Sequence, residues 1–194
     1  MAPEPSWLRD GQDDAFNVLF VCTGNICRSP MAEAFAWREL GRYPHGAGLR
    51  FGSAGSHAME GNPATTLAVA VAAARGGDLA LHRARELGRR LVREADLVLT
   101  MAAEHLPYVV AFDRSAAQRA FVLGAFARVA PGLVGLARSP EQLVAMAARE
   151  GAARHRDGDD VLDPMGGTEA AYAACADHVD ALVTPAVAAL AKLA

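Results

Sequence analysis

Within the segment Cys22-Thr23-Gly24-Asn25-Ile26-Cys27-Arg28-Ser29-Pro30 the sequence brings together a thiol, a guanidinium, a hydroxyl and two residues tolerant of unusual backbone angles. The segment follows the apolar, β-branched run Asn17 to Cys22 and precedes Pro30, a helix-opening signal ahead of Met31 to Leu40. It is therefore expected at the carboxyl end of a strand, where open α/β sheets bind ligands. A loop entering a helix N-terminus aims several N–H groups at one spot, and the helix dipole adds positive potential there. Gly24 permits angles that a Cβ would hinder, and Asn25 tolerates the left-handed region. Arg28 adds a planar fork of donors matched to two oxygens of a tetrahedral anion. Such a field favours the thiolate of Cys22, which held against phosphorus is a nucleophile. A nucleotide P-loop would need G-x-x-x-x-G-K-[ST], and no Lys or second Gly stands here. Zinc would need two more ligands beside Cys22 and Cys27, whereas Cys175 lies on the terminal helix and no His flanks the loop. No metal and no cofactor is expected.

The elements that must position this loop alternate. A second strand ends in Phe51-Gly-Ser-Ala-Gly-Ser56, and an Ala-rich helix after Pro63 runs to Arg75 and closes at Gly76-Gly77. A helix over Ala84 to Ala95 follows, then strands over Asp96 to Met101 and Arg119 to Leu123. A helical stretch from Pro140 to Gly151, a polar loop from Arg154 to Asp160 and a long helix from Thr168 complete the chain. This order predicts a single α/β domain, a three-layer sandwich with a central parallel sheet of about four strands. The expected domain covers 17–194, after a flexible N-terminal tail over 1–16.

The 194 residues, 52% hydrophobic and 21% charged, suit one globular unit with its own core. Three cysteines are a poor disulfide framework and point to a reducing compartment. A net charge of -3 gives no basic field for nucleic acid or an anionic membrane. Uninterrupted apolar runs such as Leu67 to Ala74 and Ala186 to Ala191 fall short of the about 20 residues a membrane span needs. The acidic start, with Glu4, Asp10, Asp13 and Asp14, has no basic n-region of a secretory signal. The expectation is a cytoplasmic protein with neither nucleic acid nor membrane as partner.

The string Val21-Cys-Thr-Gly-Asn-Ile-Cys-Arg-Ser-Pro-Met-Ala-Glu33 resembles the signature of the low-molecular-weight protein tyrosine phosphatases, bacterial type. The resemblance continues in Ser53-Ala-Gly-Ser56, His82-Arg-Ala-Arg85, Asp96 to Met101 and Asp160 to Gly167, covering about residues 17 to 192. It implies hydrolysis of protein phosphotyrosine through a phosphocysteine intermediate. Cys22 would be the nucleophile, Arg28 the phosphate-binding arginine and Asp163, in Asp163-Pro164, the general acid that later activates water. Ser29 would hydrogen-bond the thiolate, while Asn25, Ser53 and His82 brace the loop. Thr23, Gly24, Asn25, Ile26, Cys27, Ser29, Met59 and Met165 are the substrate-binding candidates. Cys27 matches a family cysteine that forms a disulfide with the nucleophile under oxidation, with plain loop packing as the alternative. Cys175 and the histidines at 45, 57, 105, 155 and 178 read as packing or solvated residues, and Arg154-His155-Arg156 as a solvated loop or a contact for an acidic substrate.

Many members of the family carry aromatic residues where this chain has Met59 and Met165, the latter followed by Gly166-Gly167. That ending resembles a branch that includes protein arginine phosphatases, whose Thr is replaced here by Ile26. An arsenate reductase would need further cysteines over residues 80 to 100, which hold none, and a non-catalytic phosphate binder would not retain both Cys22 and Asp163. Pro140 to Asp160 is longer than the family pattern leads one to expect.

Overall fold

In the computed structural model, residues 15–44 and 48–194 are described. Most of the expected tail, and His45, lie outside them. Four parallel strands, β1 (Phe16–Cys22), β2 (Leu49–Gly55), β3 (Leu97–Thr100) and β4 (Ala120–Val122), form one sheet in the order β2-β1-β3-β4. β1 is central, and Val18 to Cys22 are all buried because helices cover both faces. Phe16, assigned to the tail by sequence, pairs with Leu49 at the start of β1 and is buried.

The helices are α1 (Arg28–Leu40), α2 (Thr66–Ala73), α3 (Arg89–Glu94), α4 (Leu106–Phe112), α5 (Leu123–Val129), α6 (Pro140–Ala147) and α7 (Glu169–Ala191). α1 begins two residues before Pro30, which sits in the first turn, where its missing N–H removes no helical bond. Gly76, at φ 78°, closes α2 through Gly77 N–H bonding to the Ala72 carbonyl at 2.9 Å. α6 runs on into a π-helical turn over Ala148–Ala152 that holds Gly151 at φ 104°. One core, with Phe20, Phe35, Phe51 and Phe126, packs α1, α5, α6 and α7 against the sheet. A smaller core on the opposite face, around Leu19, Val21, Leu87, Leu91, Val98 and Val109, carries α3 and α4.

The sequence expectation of a helix over Ala84 to Ala95 is corrected. Only Arg89–Glu94 is helical, and Ala84 to Gly88 is extended, with Glu86 bridging Gly55. α7 is long and apolar enough, by length and composition, to cross a bilayer, a capacity that a count of uninterrupted apolar runs misses. Here its stripe of Tyr172, Cys175, Ala176, Val179, Val183 and Val187 is buried in the larger core.

Candidate active site

The strand order reverses direction at β1, and the loop leaving β1 lies at the carboxyl end of the sheet. Its backbone is held from behind. The carbonyls of Cys22, Thr23, Gly24 and Ile26 accept N–H groups of Ser56, His57, Met59 and Thr65 at 2.9, 3.0, 3.0 and 3.0 Å. His82 Nε2 donates to the Asn25 carbonyl at 2.8 Å. Five successive carbonyls are thus turned outward, and since C=O and the next N–H of a peptide point opposite ways, the amides turn inward as an anion nest. The Asn25 N–H already bonds Cys22 Sγ at 3.3 Å.

Asn25 is the one non-glycine residue with positive φ, 53°, among the described residues. It is fully buried. Its Nδ2 donates to Ser29 Oγ at 3.0 Å and Ser53 Oγ at 2.9 Å, and its Oδ1 accepts the Arg85 N–H at 2.9 Å. The Ser53 hydroxyl donates to Glu33 Oε2 at 2.6 Å. Burial pushes the Glu33 carboxyl up against the opposing pull of that bond and of Arg85. Because Asn25 supplies a donor to Ser29, the Ser29 proton is free for Cys22 Sγ at 2.9 Å, closer than the Ala54 carbonyl at 3.4 Å. Cys22 therefore has a hydroxyl and an amide directed at its sulfur.

Arg28, the first residue of α1, is 3% exposed, and its Nη1 donates to the Val161 carbonyl at 3.3 Å. Its Nη2 meets Thr23 Oγ1 at 3.2 Å and Asp163 Oδ2 at 2.5 Å. The Met165 N–H bonds Asp163 Oδ1 at 3.1 Å, fixing the carboxylate at the turn that Pro164 begins. Val161 N–H is tied to the Met101 carbonyl at 2.7 Å, and Asp160 Oδ1 accepts the Ala103 N–H at 2.9 Å. The end of β3 thus anchors the strand of loop that carries Asp163.

A cavity of about 230 Å³ opens between these groups, lined by Cys22, Thr23, Gly24, Ile26, Cys27 and Arg28 on one side and by Met59, Asp163 and Met165 on the other. Asn25 and Ser29, placed among the substrate contacts by sequence, lie behind it; they are fully buried and brace the loop and the thiol. Gly24 has no positive φ, and a Cβ there would meet Ile26 at an ordinary 3.5 Å, so its expected backbone role is not the one it plays. The close approach is at Gly55, where a Cβ would stand 2.3 Å from the Thr23 carbonyl. Cys27 Sγ neighbours Tyr172 Oη at 3.4 Å and Thr65 Oγ1 at 3.5 Å, and burial pushes its thiol up. Burial pushes the Cys175 thiol up to about 12.

Sequence reasoning missed three partners. Glu33 sits inside the signature string but carries no spacing cue that it braces Ser53. Tyr172 projects from α7 onto Cys27. His105, read as one scattered histidine among several, is 1% exposed and stands with Nε2 3.0 Å from Thr23 Oγ1. Of the others, His155 pairs with Asp160 at 3.0 Å, and His57 lies edge-on to Tyr108 at 5.1 Å.

Residues 17–132 match the profile of the low molecular weight phosphotyrosine protein phosphatase family. The chain belongs to that family. It is 40% identical over 95 residues to the low molecular weight protein-tyrosine-phosphatase Etp of Escherichia coli K12, a match over 49% of this chain and 60% of that relative. The chain thus spans less than two thirds of the curated relative it matches. The solved low molecular weight protein tyrosine phosphatase of T. tengcongensis is 32% identical, with a TM-score of 0.65 over 88% of this chain and 97% of that one. The YwlE arginine phosphatase of Geobacillus stearothermophilus is 29% identical, with a TM-score of 0.68 over 89% and 91%. The single α/β domain expected of the sequence is the fold these proteins share.

Proposed function

We propose that this phosphatase hydrolyses protein phosphotyrosine through a phosphocysteine on Cys22. The observation that carries the reading is the set of loop amides turned inward around the Cys22 thiol, with Arg28 and Asp163 closing the same cavity. The phosphoryl oxygens take the amides and the fork of Arg28, replacing Asp163 at Nη2. Cys22 Sγ attacks phosphorus while the phenolic oxygen leaves, and Asp163, released from Arg28 and protonated by the entering phosphate monoanion, gives that oxygen a proton. Water then attacks the phosphocysteine, loses a proton to the Asp163 carboxylate, and the Cys22 thiolate departs, steadied by Ser29. Hydrolysis of para-nitrophenyl phosphate is expected to survive chelator and to vanish in Cys22→Ser, whose hydroxyl is not ionised in such a field. Chelator-sensitive turnover, or an active serine variant, would sink the mechanism.

A second reading, phosphoarginine hydrolysis, is favoured by the likeness to an arginine phosphatase and by the exposed Met165, Gly166 and Gly167, of which Met165 lines the cavity. Against it stands Ile26 in the cavity wall, a hydrocarbon that offers no oxygen to a guanidinium. A buried N–H left unpaired costs about 1 to 3 kcal/mol. Phosphotyrosine is therefore expected to be preferred by about tenfold in kcat/KM, with Ile26→Thr narrowing the ratio. Equal or better turnover of phosphoarginine would move the assignment.

The three free thiols support a cytoplasmic setting. Cys27, a neighbour of the nucleophile in the cavity wall, is proposed to trap the oxidised Cys22 as a disulfide. Equal recovery of wild type and Cys27→Ala by thiol after peroxide would refute that role.

A further inference from the structure

His105 has no place in the mechanism above, yet it is buried at the head of α4 with both ring nitrogens engaged. Its backbone N–H donates to the Ala102 carbonyl at 3.2 Å. The Ala102 N–H points to His105 Nδ1 at 3.1 Å. Nδ1 also lies 3.2 Å from the Ala102 carbonyl, but that oxygen already has a donor, whereas the buried N–H needs an acceptor. Satisfying both groups puts the ring proton on Nε2. Burial first, then the Arg28 charge, push the pKa of His105 down against the pull of Glu104, the Ala102 carbonyl and Asp160, which favours the neutral ring. Glu104 Oε1, at 3.6 Å, is too far to take the Nε2 proton. Nε2–H therefore donates to Thr23 Oγ1 at 3.0 Å, and Arg28 Nη2 donates to the same oxygen at 3.2 Å. A hydroxyl has two lone pairs and one proton. With both lone pairs of Thr23 filled, its proton has nowhere to go but to an acceptor in the cavity that Thr23 lines.

We propose that His105 is a positioning residue which, together with Arg28, turns the Thr23 hydroxyl into a fixed donor to a phosphoryl oxygen in the loop. The inference rests on the phosphatase reading and extends it: His105 never meets the substrate and acts through Thr23.

Two substitutions separate this role from helix capping. The amide oxygen of Asn reaches the place of Nδ1, so His105→Asn keeps the acceptor for Ala102 and loses the donor to Thr23. The amide nitrogen of Gln reaches the place of Nε2, so His105→Gln does the reverse. The readout is the competitive inhibition constant of inorganic phosphate against para-nitrophenyl phosphate, with a thermal melt of each variant. Thr23→Val is expected to weaken phosphate about tenfold, the scale of one hydrogen bond to a charged group. His105→Asn should weaken it about three- to tenfold and His105→Gln by less than about twofold, whichever of the two melts lower. In the Thr23→Val background, His105→Asn should add less than about twofold. The proposal is overturned if the Asn variant binds phosphate as wild type does, if Gln loses as much as Asn, or if the Thr23 and His105 effects multiply. Those outcomes leave the phosphatase reading intact, whereas a wild type that neither binds phosphate nor turns over removes both.

Discussion

At the scale of single residues, Asp163 holds two positions in tension: its carboxylate is paired with Arg28 at 2.5 Å, and its side chain is 45% exposed at the cavity mouth. In the proposed reaction the carboxyl becomes free to serve the leaving oxygen only when substrate takes Arg28. Asp163→Asn is expected to cut turnover of phosphotyrosine by about 10² to 10⁴ and to matter less as the phenol becomes more acidic. A series of aryl phosphates of graded leaving-group acidity checks this, and an equal loss across the series would rule Asp163 out as the proton donor. The same variant removes the competitor for Arg28, so phosphate should bind it more tightly than wild type. Cys22, Arg28 and Asp163 were legible because packing alone does not call for a thiol, an arginine and an Asp-Pro at these positions. His105 and Tyr172 were not, because their meaning comes from a partner 82 and 145 residues away, Thr23 and Cys27, that no local pattern announces.

Elements tell a similar story about what local patterns contain. All four strands were readable within a few residues as short apolar runs. The segment from Ala84 to Gly88 has helix-forming residues, yet the Arg85 and Leu87 backbones are spent on Gly55, at 3.0 and 2.7 Å, and Arg85 N–H on Asn25. Tertiary bonds to Gly55 at the end of β2 and to Asn25 in the loop after β1 outweigh a preference worth only tenths of a kcal/mol per residue. α4 is not legible because Leu106–Phe112 is apolar nearly throughout, so no contrast marks off the face that packs, Leu106, Val109 and Phe112, from the rest. The sequence beyond the expected family length, Pro140 to Asp160, ends against α5 at a tight point. A Cβ on Gly124 would stand 2.4 Å from the Asp159 carbonyl. Gly124→Ala must then shift the segment running into Asp163, although Gly124 touches no substrate. The expected result is a loss of about 1 to 3 kcal/mol in stability and a fall in kcat that is larger for poor leaving groups. A uniform change across leaving groups would mean that the loop does not transmit the strain.

The whole molecule ties its stability to pH through groups behind the site. Burial, followed by Arg85 and Arg83, pushes His82 down, and burial followed by Arg28 does the same to His105. Each binds a proton more readily in the unfolded chain, near its ordinary value of 6.5. Unfolding therefore takes up protons between that value and the lower folded one, and stability falls as pH drops below about 6.5. Glu33 and Asp96, both pushed up by burial, work the other way, losing stability as pH rises above their ordinary 4.5 and 3.8. Calorimetric melts should decline from about pH 7 to about pH 5.5, and His82→Asn should flatten that decline. A profile that does not bend over this range would contradict the assignment of neutral imidazoles. The two cores flanking the sheet are unequal, and the thinner one carries α3 and α4, pinned to it by Arg119 through the Val92 and Ala95 carbonyls and Asp113. Opening of a native chain begins where the least apolar surface is given up. Amide protons of Leu106–Phe112 should therefore exchange with deuterated solvent sooner than those of the buried face of α7. Since His105 stands at the head of that helix and is bonded to Thr23, a phosphate ion held in the loop would slow exchange in α4 by mass action on the closed form. The thin face of the sheet would in this way register, at a distance, whether the loop is filled.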